Sequence, residues 1–167
     1  METIVNKVAE SGIITLDLTS LLPSEVVAIF DLKPFLFREM ILREKDYRAA
    51  LAVLDWEQYR NCNVAITCSA DAIIPVWAYM LAASSLEPVA SAVYFGTETE
   101  MINAIIQSRI NAMDIEEYAD KRVVIKGCGD TAIPEAAYVA ITHRLRPVIK
   151  SLMYGEPCSM VPVYKKK

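Results

Sequence analysis

A chain of 167 residues, 54% hydrophobic and 23% charged with only 5 glycines, has ample apolar material for a core and none of the composition of a disordered segment. Its formal charge is −4, and the cations are scattered apart from Lys165, Lys166 and Lys167. No basic stripe follows a phosphate backbone, so nucleic acid is not an expected partner, and the terminal lysines read as a solvated tail.

The first 54 residues form an extension of mixed texture. Segments 3–8 and 13–18 alternate apolar with polar residues around Ser11-Gly12, which predicts a β-hairpin. Segment 32–54 sets Arg38, Glu39, Arg43, Glu44, Lys45, Asp46 and Arg48 against Phe37, Ile41, Tyr47, Leu51 and Leu54, and reads as mostly helical. The extension is expected to pack on the α/β portion of the chain and to add edge strands. The amino terminus lacks the basic start and apolar run of a secretory signal, which predicts a cytoplasmic protein with reduced thiols at Cys62, Cys68, Cys128 and Cys158.

From residue 55 the chain repeats itself. Laying 55–96 over 114–155, a constant offset of 59, gives 14 identities in 42 positions without a gap. They include Asp55/Asp114, Tyr59/Tyr118, Asp71/Asp130, Pro75/Pro134, Tyr79/Tyr138, Pro88/Pro147 and Gly96/Gly155. In each copy a short apolar strand (63–67, 122–126) leads through a polar turn to a helix (72–86, 133–145) that a proline closes, and then to a second strand (92–95, 151–154) ended by glycine. That order is a βαβ unit with parallel strands. Segment 72–86 has no charge, but it is shorter than the roughly 20 residues of a spanning helix. Its counterpart carries Glu135, His143 and Arg144, so both are expected to be buried helices and no membrane is implied.

The predicted fold class is α/β: one domain with a small open parallel sheet built from a tandem βαβ duplication, plus an N-terminal β-hairpin and helix. Its parts are the extension (1–54), the first copy (55–97), a linking helix (98–113), the second copy (114–158) and a tail (159–167). Joining the copies in one sheet gives the strand order 2-1-3-4, with a crevice at the carboxyl ends of the two central strands.

Three cysteines fall at that edge: Cys68 ends the first strand, Cys128 the third, and Cys158 comes after the fourth. Strands lie about 4.8 Å apart, so three consecutive strand ends would sit within roughly 10 Å. Cys62, at the start of its strand, belongs to the opposite edge. Three thiolates with a carboxylate suit Zn or an iron–sulfur cluster, which makes Cys68, Cys128, Cys158, Asp71 and Asp130 the candidate metal ligands, with Glu156 nearby. No Cys-x-x-Cys pair is present, and buried structural cysteines remain the plain alternative.

The repeated phrase Asp-x-x-Ile-Pro-x-x-Ala-Tyr, at 71–79 and 130–138, has a structural explanation as well, with the Asp capping a helix and the Pro in its first turn. Tyr79 and Tyr138 then read as core residues. Cys128 in Lys126-Gly-Cys-Gly-Asp130, ahead of a helix, is a candidate thiolate nucleophile assisted by Asp130. The one histidine, His143, lies too far along that helix to serve as its base.

With these residues in view, the chain resembles a bacterial family known as domain of unknown function 2480. The resemblance rests on Leu42-Arg-Glu-Lys-Asp46, Cys68-Ser-Ala-Asp-Ala-Ile-Ile-Pro75, Trp77-Ala-Tyr-Met-Leu81, Lys126-Gly-Cys-Gly-Asp130 and Met153-Tyr-Gly-Glu-Pro-Cys-Ser159, and it runs nearly the whole length. The family has no established activity. The resemblance implies proximity to iron–sulfur assembly, with a protein of that machinery as partner. Three functions stay open: a metal or iron–sulfur binding protein without turnover, a thiol-dependent small-molecule enzyme using Cys128, and an interaction module serving a partner or a second copy as a homo-oligomer.

Overall fold

The computed structural model describes residues 12–126, 130–156 and 159–167. They form two compact units: one is Pro23–Ile102, the other the described residues of Met1–Leu22 and Asn103–Lys167. The first is inserted in the sequence of the second, so we call them the inserted and the flanking unit.

In the inserted unit, β2 (Val27–Asp31), β5 (Asn63–Thr67) and β6 (Ala92–Phe95) make a parallel sheet in the order β2-β5-β6. The central strand β5 is buried along Asn63, Val64, Ala65 and Ile66, as its continuous apolar run requires of a strand covered on both faces. The buried Asn63 amide donates to Glu25 Oε2 at 3.3 Å. The crossover helix α2 (Val76–Leu86) buries Ala78, Ala82 and Leu86, one stripe at four-residue spacing, and ends just before Pro88.

Between β2 and β5 the chain departs from the single helix expected over 32–54. A 3₁₀ turn (Lys33–Phe35) leads into a small antiparallel pair, β3 (Leu36–Phe37) with β4 (Ile41–Leu42), and only then into α1 (Glu44–Val53). Pro34 cannot donate within a helix, and Arg38 and Glu39 adopt φ of 53° and 58°, so the chain turns there instead of continuing. This segment is part of the core. Tyr47 is fully buried with its hydroxyl donating to the Ala78 carbonyl at 3.1 Å, and Phe30 stacks against Phe35 and Trp56 at 5.5 and 5.6 Å.

In the flanking unit, β1 (Ile13–Leu16), β7 (Arg122–Ile125), β8 (Ser151–Glu156) and β9 (Ser159–Lys165) form a sheet in that order. The first three are parallel and β9 returns antiparallel to β8. Helix α3 (Glu98–Ala112) links the units along the chain, and α4 (Glu135–Leu145) is the crossover from β7 to β8, burying Ala137, Ile141 and Leu145. Among the described residues no helix is long and apolar enough to cross a membrane.

The architecture is therefore α/β with open, mainly parallel sheets, but the two copies do not share one. Strand β5 is flanked by β2 and β6, and β7 by β1 and β8, so the order 2-1-3-4 is not adopted. The reason lies in the extension: β1 and β2 occupy the lateral edge of each central strand that a joint sheet would have used. Strand β1 pairs with β7 in parallel; the other arm of the predicted hairpin, 3–8, lies outside the described residues. Segment 159–165, taken as tail on sequence grounds, is the edge strand β9.

The offset of 59 recurs in the coordinates. Strand starts Asn63 and Arg122, helix bounds 76–86 and 135–145, and strand starts Ala92 and Ser151 all differ by it. The added strands are equivalent too, since Val27 pairs with Asn63 as Ile13 pairs with Arg122.

Candidate functional site

At the carboxyl ends of β1 and β7 and the amino end of α4, the flanking unit holds a crevice of about 520 Å³. Parallel strands all end on one side, and this is the edge where α/β sheets usually place their sites. The apolar lining comes from Leu18, Ile125, Ile133 and Leu152. Tyr138 and Tyr154, packed edge to face at 5.8 Å between centroids, form an aromatic wall, and Val163 of β9 closes one side.

Polar groups gather at the rim. Asp17, the residue after β1, caps a 3₁₀ turn (Leu18–Leu21), accepting from the Thr19 backbone N–H at 2.9 Å and the Thr19 hydroxyl at 2.7 Å. Its other oxygen accepts from Lys126 Nζ at 3.4 Å. The Thr19 hydroxyl, then the Thr19 N–H and Lys126, hold the Asp17 carboxyl below its ordinary range. Thr131 and Glu135 complete the rim, and the side chain of Glu135, first residue of α4, makes no hydrogen bond or ion pair among the described residues.

The equivalent edge of the inserted unit carries Asp31 after β2. Its carboxylate accepts from the Lys33 N–H and the Ser69 N–H, both at 2.9 Å, and from the Ser69 hydroxyl at 2.5 Å. Burial pushes this carboxyl up, but the bonds from Ser69 and Lys33 outweigh it and leave the group below its ordinary range.

The predicted metal ligands divide between the units in sequence. Cys68 and Asp71 come after β5; Cys128 and Asp130 come after β7, and Cys158 after β8. Strand adjacency therefore does not join Cys68 to the other two. Cys128 and Cys158 lie outside the described residues. Cys68 is half-buried, its thiol directed to the Ala70 carbonyl at 3.7 Å, and Cys62 is buried at the other end of β5, as expected. Among the described residues no group of three or more His, Cys, Asp or Glu side chains could hold a metal ion.

The capping role of Asp71 and Asp130 is corrected. Helices α2 and α4 begin at Val76 and Glu135, with Pro75 and Pro134 at the N-cap position and no side-chain cap bond. Each helix thus starts later than its pattern suggests, because proline at the cap is extended, with φ near −60° and ψ near 140°. Both aspartates are exposed.

Asp17, Lys126, Glu135 and Tyr154 are site residues that sequence reasoning missed. A signal for the first was present: Leu16-Asp17-Leu18 and Phe30-Asp31-Leu32 both end an apolar run with Asp-Leu, the mark of two equivalent strand ends.

Fold and crevice together define an α/β protein with an open cleft at the carboxyl edge of a parallel sheet. The chain belongs to the family described as proteins of unknown function (DUF2480), whose model matches residues 2–166. No curated protein and no solved structure matches it.

Proposed function

We propose that this protein binds a small molecule in the crevice of the flanking unit. The observation that carries the reading is the crevice itself, of a volume usual for small-ligand sites and with an apolar floor under a few convergent polar groups. Asp17, Lys126, Thr131 and Glu135 would orient the ligand, while Leu18, Ile125, Ile133 and the two tyrosines would take its apolar body. A fragment library screened by thermal shift tests this. Hits should stabilise the wild-type protein and lose their effect in Ala132→Trp, which fills the cleft from an exposed loop position. A screen without hits, or hits indifferent to that substitution, contradicts it.

A second reading keeps the thiols. Cys128 and Cys158 come after the neighbouring strands β7 and β8, and Asp130, freed from a capping role, lies two residues beyond Cys128 in sequence. These are the residues proposed for Zn or an iron–sulfur cluster, and Cys128 the residue proposed for thiol chemistry; Cys68 and Asp71 belong to the inserted unit. Metal analysis of protein purified without oxygen separates the two readings. Stoichiometric Zn or Fe that disappears in Cys128→Ser/Cys158→Ser supports the thiol centre, and metal-free protein removes it.

A further inference from the structure

We infer that the ligand of the crevice is a small primary amine with an apolar or aromatic body. This rests on the crevice being the binding site and names the chemistry it selects. Three charged side chains line it, Asp17, Lys126 and Glu135. The ammonium of Lys126 already faces the Asp17 carboxylate at 3.4 Å, so that pair is internally compensated. Glu135 has no such partner among the described residues, and the rim carries one negative charge in excess.

The opposing field is that of α4, whose amino terminus carries about half a positive charge. Glu135 sits on that end with a full negative one, so the helix weakens the attraction without reversing it. An anionic ligand is disfavoured on the same grounds: Lys126 would have to leave Asp17, and the helix end that could receive an anion bears Glu135 in its first turn. Behind the rim lie the aromatic rings of Tyr138 and Tyr154, and with Leu18, Ile125, Ile133 and Leu152 they take an apolar or aromatic body. An ammonium group at Glu135 with its hydrocarbon toward the tyrosines meets both the uncompensated charge and the apolar lining. An alcohol leaves Glu135 without a counter-charge, and a carboxylate meets it with the same sign.

Titration of the full chain with phenethylamine, 2-phenylethanol and 3-phenylpropionate, followed by backbone amide NMR, tests the assignment. Phenethylamine should shift the amides of Lys126, Thr131, Ala132, Glu135 and Tyr154. Glu135→Gln should weaken it about fivefold, the scale of an exposed ion pair. Lys126→Ala, which removes the competing cation and frees the Asp17 carboxylate, should tighten phenethylamine binding. Equal or tighter binding of the alcohol or the acid, or indifference to Glu135→Gln, overturns the amine assignment. If none of the three binds while library fragments of other chemistry occupy the crevice, the amine class falls and the crevice reading stands. If nothing binds there, both fall.

Discussion

The inserted and flanking units share a βαβ framework with an added parallel strand and differ in the residues at its carboxyl edge. In both, an Asp ahead of the central strand accepts from the backbone N–H two residues on: Asp55 from Glu57 and Asp114 from Glu116, each at 3.0 Å. In both, a residue with left-handed φ, Asn61 at 60° and Asp120 at 54°, donates its N–H to the residue after the closing proline, Val89 or Val148. The ring pairs Tyr79–Phe95 and Tyr138–Tyr154 meet edge to face in both. At the carboxyl edge the likeness stops. Where the flanking unit has Lys126, Thr131, Ala132 and Glu135, the inserted unit has Thr67, Ala72, Ile73 and Val76. Ile73 is 94% exposed and Phe95 74%, so apolar residues stand near Asp31 where the flanking unit sets Lys126 and Glu135 near Asp17. A few cap, proline and glycine positions suffice to hold the backbone, which leaves the loop residues free to carry different chemistry.

The sharpest test of equivalence is in the cores. Leu86 and Leu145 are both fully buried at the ends of α2 and α4. Replacing either with Ala should cost about 2–5 kcal/mol in urea denaturation, the range for a buried leucine. A loss below about 1 kcal/mol in one would show that the two helices are not held alike.

Next come the glycines, where the units should part. Gly96 and Gly155 both have φ of 123°, so alanine is strained by about 1–3 kcal/mol in either. An added Cβ at Gly96 meets the movable Glu100 side chain, whereas at Gly155 it runs into the Ser159 backbone oxygen of β9. Gly155→Ala should therefore lower the melting temperature more than Gly96→Ala; the reverse order would mean that β9 does not constrain β8.

A smaller effect belongs to the inserted unit alone. Burial pushes the Tyr47 phenol up to about 12 from an ordinary value of 10. The unfolded chain loses that proton first, so stability tied to Tyr47 is full below pH 10 and falls as pH rises from 10 towards 12. Urea midpoints should drop over that window in the wild type and less so in Tyr47→Phe, which also gives up the hydrogen bond to Ala78. An identical drop in both would show that Tyr47 contributes none of it.

The smallest effects are at the strand-end aspartates. Both carboxyls lie below the ordinary 3.8, so what they add to stability is present above that pH and lost as pH falls through their folded values. Carboxyl ¹³C titrations should show Asp17 rising in Thr19→Val and Asp31 rising in Ser69→Ala. No movement in either would separate the hydrogen bonds from the shifts.

Much of this fold was legible in the residues. The strands at 63–67, 92–95 and 122–125 and the prolines that close α2 and α4 come from apolar runs and turn chemistry, which are local. Which strands lie side by side is not local. Each central strand could pair with the other or with an N-terminal strand, and nothing in the Val64 or Val123 environment distinguishes these in sequence. The proline phrase also misled about helix starts, since Pro75 and Pro134 fit a cap as well as a first turn. The site went unseen because Lys126 and Asp17 are 109 residues apart and meet only through the β1–β7 pairing.

The proposed binding site belongs to the flanking unit, and the inserted unit has Thr67, Ala72 and Val76 where that site has Lys126, Thr131 and Glu135. Amide NMR mapping of fragment hits on the full chain tests that asymmetry most directly. Shifts are expected at Lys126, Thr131 to Glu135 and Tyr154, with Thr67, Ala72 to Val76 and Phe95 still. Shifts confined to the second set, or spread equally over both, would contradict it.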